Sequence, residues 1–74
     1  MSALPVLSGR QLVKALGRLG YAVDRQRGSH IILRQGRAPF RRLVVPDHAE
    51  IAKGTLRAVL REAGITVDEL RRIL

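Results

Sequence analysis

The sequence predicts an α+β fold of two layers: a three-stranded antiparallel sheet with helices on one face, in the order α-β-β-β-α plus a short C-terminal helix. Three observations carry this. Apolar residues recur at helical spacing near both ends of the chain, as Leu12, Val13, Leu16 and Leu19 and again as Leu56, Val59, Leu60 and Ala63. Between them lie three short apolar runs bounded by glycine- and proline-bearing turns. Consecutive strands with such short connections pair as a meander, about as small a sheet as is stable with a helix packed on it.

Residues 1–7 read as a loose lead-in, with Pro5 resisting helix. Ser8 is an N-cap, and Gln11 three residues later completes a capping box. Gly20 is placed to stop the first helix. Gly17, inside the same helix, is expected to let a strand approach closely. Arg10, Lys14 and Arg18, four apart, form a basic stripe on its outer side. The first strand is read over residues 21–26, the turn at Arg27-Gly28, and the second strand over residues 29–34. A second turn follows at residues 35–39. The third strand starts at Phe40 or Arg41 and is ended by Pro46. The run Ile31-Ile32-Leu33 blurs the alternation and leaves open which isoleucine faces the core. If Ile31 and Leu33 face inward, His30 shares the open face with Ile32 and Arg34. The second helix runs from Gly54-Thr55 to Ala63 and is ended by Gly64. Thr66 and Glu69 form another capping box, opening a final helix within residues 66–74 whose apolar side is Leu70, Ile73 and Leu74.

All this fits one domain over residues 1–74, near the lower size limit for a core that folds alone. There is no cysteine, so neither a disulfide nor a thiolate metal site contributes. No apolar run approaches the roughly 20 residues of a membrane span. The N-terminus lacks a basic segment followed by an apolar stretch, so no signal peptide is expected. A cytoplasmic protein with no membrane partner is the expectation. Fourteen Lys and Arg stand against six Asp and Glu, and twelve of the fourteen are Arg. Guanidinium forks match phosphate and stay charged under all relevant conditions. This balance points to a polyanion, nucleic acid first, with an anionic membrane surface or an acidic protein as alternatives. Tyr21 and Phe40 are the only aromatics, which argues against base-stacking platforms.

The stretch Arg27-Gly28-Ser29-His30 organises the chain around a histidine at the mouth of a hairpin. An imidazole, with an unperturbed pKa of roughly 6.5, takes and gives a proton near neutrality. Fixed in a cationic protein, it is a place to cleave a phosphodiester; the bland alternative is a structural or merely solvated histidine. His48 follows Val45-Pro46 and is the candidate for a second acid or base. Lys53-Gly54-Thr55 is too short for a P-loop and reads as a helix start, with phosphate contact at the helix N-terminus as a secondary reading. Asp24, Asp47, Glu50 and the two histidines do not form a familiar ligand spacing, so no metal and no small-molecule cofactor are expected.

Several of these features occur together: the capped first helix ending in Gly20-Tyr21, Gly28-Ser29-His30 opening strand two, Val45-Pro46 with His48, and Lys53-Gly54-Thr55-Leu56-Arg57 leading to Leu60 and Ala63-Gly64-Ile65. In this combination, over roughly residues 8–65, the chain resembles the HicA family of toxins. The resemblance implies a fold similar to the double-stranded RNA-binding domain. It implies an endoribonuclease that cleaves mRNA and is silenced by a HicB-type antitoxin, with His30 as the family histidine. Many members carry an aromatic residue in the second strand shortly after that histidine, where this chain has Ile32 and Leu33.

RNA carries its own nucleophile, the 2′-OH, so cleavage needs a base, a phosphate clamp and an acid. His30 is the expected base. Ser29, or the amides around Gly28, would hold a non-bridging oxygen, and Arg25, Arg27, Arg34 and Lys53 would neutralise phosphate. Two rivals remain at this point: a non-catalytic RNA-binding module of the same fold, and an adaptor pairing with an acidic protein.

Overall fold

The structure, a computed structural model, describes residues 3–74; Met1 and Ser2 of the expected lead-in lie outside them. The elements run α1 (Gly9–Gly17), β1 (Tyr21–Arg27), β2 (His30–Gln35), β3 (Arg42–Pro46), α2 (Lys53–Ala63) and α3 (Val67–Ile73). The strands form one antiparallel sheet in the order β1-β2-β3, as the sequence predicts. No helix among the described residues is long and apolar enough to cross a membrane.

Both capping boxes form. Ser8 Oγ accepts from the Gln11 N–H and Gln11 Oε1 from the Ser8 N–H; Thr66 and Glu69 repeat the exchange at α3. Residues 3–7 take no regular structure, but Leu7 is 5% exposed and its carbonyl accepts the Ile51 N–H at 2.8 Å, so the lead-in is tied down at its last residue. α1 closes at Gly17 instead of continuing to Gly20. The Arg18, Leu19 and Gly20 amides bond three residues back, to Ala15, Leu16 and Gly17, a tighter winding that ends the helix early. Gly20 then turns the chain with φ +89°. α2 starts one residue sooner than read, at Lys53, and Gly64 (φ +73°) closes it as expected. β3 starts later than read, at Arg42, leaving Phe40 and Arg41 in the loop. At the C-terminus Leu70 is buried, but Leu74 is half exposed and contributes less to the apolar side than its spacing suggests.

The glycine in close contact is not Gly17, whose surroundings are open, but Gly9. A Cβ on Gly9 would run into the Pro46 carbonyl, and the Gly9 N–H donates to the His48 carbonyl at 2.9 Å. Alanine is the better helix former by about 1 kcal/mol, yet Gly9→Ala is expected to destabilise by about 1–3 kcal/mol because backbone must shift. Gly17→Ala, with nothing to strike, is expected to raise the melting temperature. Thermal unfolding of the two variants side by side checks both signs.

The sheet has one covered and one open face. Ile31, Leu33, Leu43 and Val45 pack with Leu12, Leu16, Leu56, Val59, Leu60 and Leu70 in one core cluster. Alternation therefore sends His30, Ile32 and Arg34 to the opposite face, which settles the question the sequence left open. Their partners on β3, namely Pro46, Val44 and Arg42, share that face. On β1 the register slips at Asp24: Val23 pairs with Leu33, but Arg25 pairs with Ile32 and Arg27 with His30. Strict alternation from Val23 would have turned Arg25 and Arg27 toward the helices. The one-residue bulge moves both to the open face.

Candidate functional site

The first hairpin turns on two residues, Gly28 and Ser29, between the paired Arg27 and His30. The turn is thus one residue later than read, and Ser29 stands in it, outside the strand. Gly28 takes φ +58°, a conformation tolerated by glycine and needed by such tight loops. This places His30 as the first residue of β2, exposed, beside Arg27 on one side and Pro46 on the other.

The tip is pinned from behind. The Asp47 N–H donates to the Ser29 carbonyl at 2.6 Å. Gln26 Nε2 donates both to the Gly28 carbonyl and to Asp47 Oδ2, each at 3.0 Å. Arg10 closes the group with two parallel bonds, Nε to Oδ1 and Nη2 to Oδ2, each 3.2 Å. The Arg10 guanidinium above all, with Gln26 assisting, holds the Asp47 carboxyl below the ordinary value of 3.8; partial burial opposes this, and the charges of Arg10 and His48 add to it. Together with the Gly9–His48 bond, these contacts tie the start of α1, the hairpin tip and the segment after β3 into one unit. Sequence reasoning missed Asp47 and Gln26 and assigned Arg10 to a solvated stripe. Arg10 and Asp47 lie 37 residues apart, and nothing local in either stretch marks them as partners.

At the β3 edge, where α2 begins, His30 and His48 line one concavity of about 330 Å³ together with Val44, Pro46, Ala52 and Thr55. The fold thereby brings together the two histidines that the sequence places in separate segments. Arg25, Arg27 and Arg34 stand on the adjoining open face; Arg27 is the cross-strand neighbour of His30. Arg34 sits at the far end of β2, where its Nε lies 3.6 Å from Asp24 Oδ2, so it is partly neutralised. Lys53 opens α2 next to Ala52 but does not itself line the concavity. α2 has no side-chain cap on its first turn, so amides there are unmet by a neighbouring side chain. A second concavity of similar volume, between α1 and α3, is lined by Leu7, Ala15, Ile73 and Leu74 among others, with no histidine, aspartate or glutamate in its lining. Among the described residues no three His, Cys, Asp or Glu side chains gather where they would hold a metal ion.

The architecture is that of a small basic α-β-β-β-α protein with one sheet face uncovered. A sequence model described as "HicA toxin of bacterial toxin-antitoxin" matches residues 9–65. The chain belongs to this family and is of the toxin type of a toxin–antitoxin system. No curated protein sequence matches it.

Proposed function

We propose that this chain is a metal-independent endoribonuclease that cleaves mRNA, and that a HicB-type antitoxin silences it by covering His30. The observation that carries the reading is the shared concavity: in a HicA-family chain, two histidines line one hollow at the edge of an arginine-bearing face. His30 takes the proton of a ribose 2′-OH. The 2′-oxygen bonds to the adjacent phosphorus as the bond from phosphorus to the 5′-oxygen breaks, and His48 returns a proton to that leaving oxygen. The products are a 2′,3′-cyclic phosphate and a 5′-hydroxyl. Arg27 meets the reacting phosphate, Arg25, Arg34 and Lys53 meet its neighbours, and Ser29 offers a hydroxyl. The Gly28 and Ser29 carbonyls each accept a hydrogen bond, from Gln26 and Asp47, which fixes the loop that carries Ser29.

These four cations on single-stranded RNA contribute about −3 to the slope of log affinity against log salt, or roughly a fifty-fold loss between 50 and 200 mM from them alone. Arg27→Ala should flatten that slope by about 0.7, as titration of labelled RNA at several salt concentrations will show. The function itself is tested in cells. Expression of the chain alone should arrest growth with internal breaks in mRNA, and co-expression of the antitoxin should relieve both. Normal growth with intact mRNA would refute the reading. Tight RNA binding without breaks would assign the chain to the non-catalytic RNA-binding modules.

A further inference from the structure

At the other end of β2 the chain does something the site does not require. Phe40, one of the chain's two aromatic residues, stands 60% exposed in the β2–β3 loop. Its φ is +56°, a left-handed conformation that a bulky side chain seldom adopts. Such outliers persist where the surroundings hold them, and they cluster at ligand clamps. Here the surroundings do hold it. The Phe40 N–H donates to the Arg37 carbonyl at 2.8 Å. The Gln35 N–H donates to the Arg41 carbonyl at 3.0 Å, and the Arg41 N–H to Gln35 Oε1 at 3.2 Å. Arg41 also anchors the loop to the end of α2, donating from Nη1 to the Ala63 carbonyl at 2.7 Å. A positive charge at that helix end is favourable in its own right. The loop is therefore fixed on both sides of an aromatic ring left in water.

The flanking charges select the ligand. Arg37 and Arg42 are exposed and make no ion pair or side-chain hydrogen bond among the described residues. Arg42 pairs with Arg34 across the sheet and so belongs to the open face that begins at His30. β2 spans about 17 Å at roughly 3.3 Å per residue. An exposed aromatic ring three residues after one unpaired arginine and two before another, at the end of a cationic surface, matches an unstacked base flanked by phosphates.

We propose that Phe40 is a stacking platform for an unpaired RNA base, with Arg37 and Arg42 holding the phosphates that flank it, so that RNA crosses the open face from this loop to His30. The proposal rests on RNA being the ligand, as in the reading above, but not on its cleavage. It runs against the expectation, drawn from the scarcity of aromatics, that the chain has no such platform.

The test uses the full chain and a 2′-O-methyl RNA 12-mer, which binds but cannot be cut. The protein has no tryptophan, so Phe40→Trp installs a single reporter. Its emission should be quenched as the oligonucleotide binds. Phe40→Leu, which keeps an apolar side chain and removes the ring, should weaken binding about tenfold, while Phe40→Trp binds like the parent. Unquenched emission together with equal affinity for Phe40→Leu would overturn the proposal. So would a Phe40→Leu variant that loses only its capture of the antitoxin, which would give the loop to a protein partner. If Phe40→Leu does not fold, the tryptophan signal alone decides. Quenching by the oligonucleotide in a chain that cleaves no RNA would uphold the platform and refute the ribonuclease.

Discussion

Replacement of His30 by alanine is expected to lower RNA cleavage by about 10²–10⁴-fold and to leave the melting temperature unchanged. The imidazole is exposed and makes no side-chain hydrogen bond or ion pair among the described residues, so folding does not depend on it. Its backbone position is set by β1, β3 and the Gly28 turn, which alanine leaves intact. RNA binding should also persist, because Arg25, Arg27 and Arg34 remain on the open face. His48→Ala is expected to slow cleavage by less than His30→Ala does, since it removes the proton donor to the leaving oxygen and leaves the base in place. Cleavage rates, RNA titrations and thermal melts on the same preparations separate these outcomes. A His30→Ala protein that melts early would return the residue to a structural role.

Asp47→Ala is expected to cost about 10²-fold in kcat with little change in RNA affinity, because it removes the carboxylate that holds Arg10 and Gln26 to the segment before His48 and leaves the tip there on the Asp47 N–H bond and the strand pairing alone. The stability effect should be small. Arg10 is 77% exposed on its side chain and Asp47 21%, and ion pairs this open to water contribute little to folding. What the group supplies is geometry: Asp47 bonds to Arg10 and Gln26 through its carboxylate, and its backbone N–H bonds to Ser29. Arg10→Ala should lower kcat in the same direction, and the double variant should fall short of the sum, as partners in one network do. The pH dependence follows from the direction of the shift. A carboxyl held below 3.8 in the folded chain adds stability that is present above the unfolded value and lost as pH falls below it, through the lowered folded value. The clamp is therefore ionised throughout the neutral range, and Asp47 does not account for any loss of activity near pH 6. Unchanged kcat in Asp47→Ala would show that the clamp is not needed for the site.

Much of this was legible from local signals. The capping residues Ser8, Gln11, Thr66 and Glu69 act within three residues of one another and were found by spacing alone. The strand order followed from short turns, and His30 from its place after a turn glycine. What escaped depended on contacts distant in sequence or on register. The bulge at Asp24 has no composition signature, so the outward turn of Arg25 and Arg27 was not foreseen. Gly9 is invisible until Pro46 lies against it. Asp47 resembles any acidic loop residue until Arg10, Gln26 and Ser29 converge on it. The meeting of His30 with His48 needs the pairing of β2 with β3, which carries Pro46 to the side of His30.

The most direct measurement is the chemistry of the broken ends. A defined single-stranded RNA is incubated with the purified chain in EDTA, and the fragments are analysed by mass. Fragments ending in 2′,3′-cyclic phosphate and beginning with 5′-hydroxyl are the expected result, since only attack by the neighbouring 2′-oxygen leaves them. Fragments bearing 5′-phosphate, or cleavage that appears only when Mg²⁺ is restored, would contradict a site in which His30 and His48 move the protons.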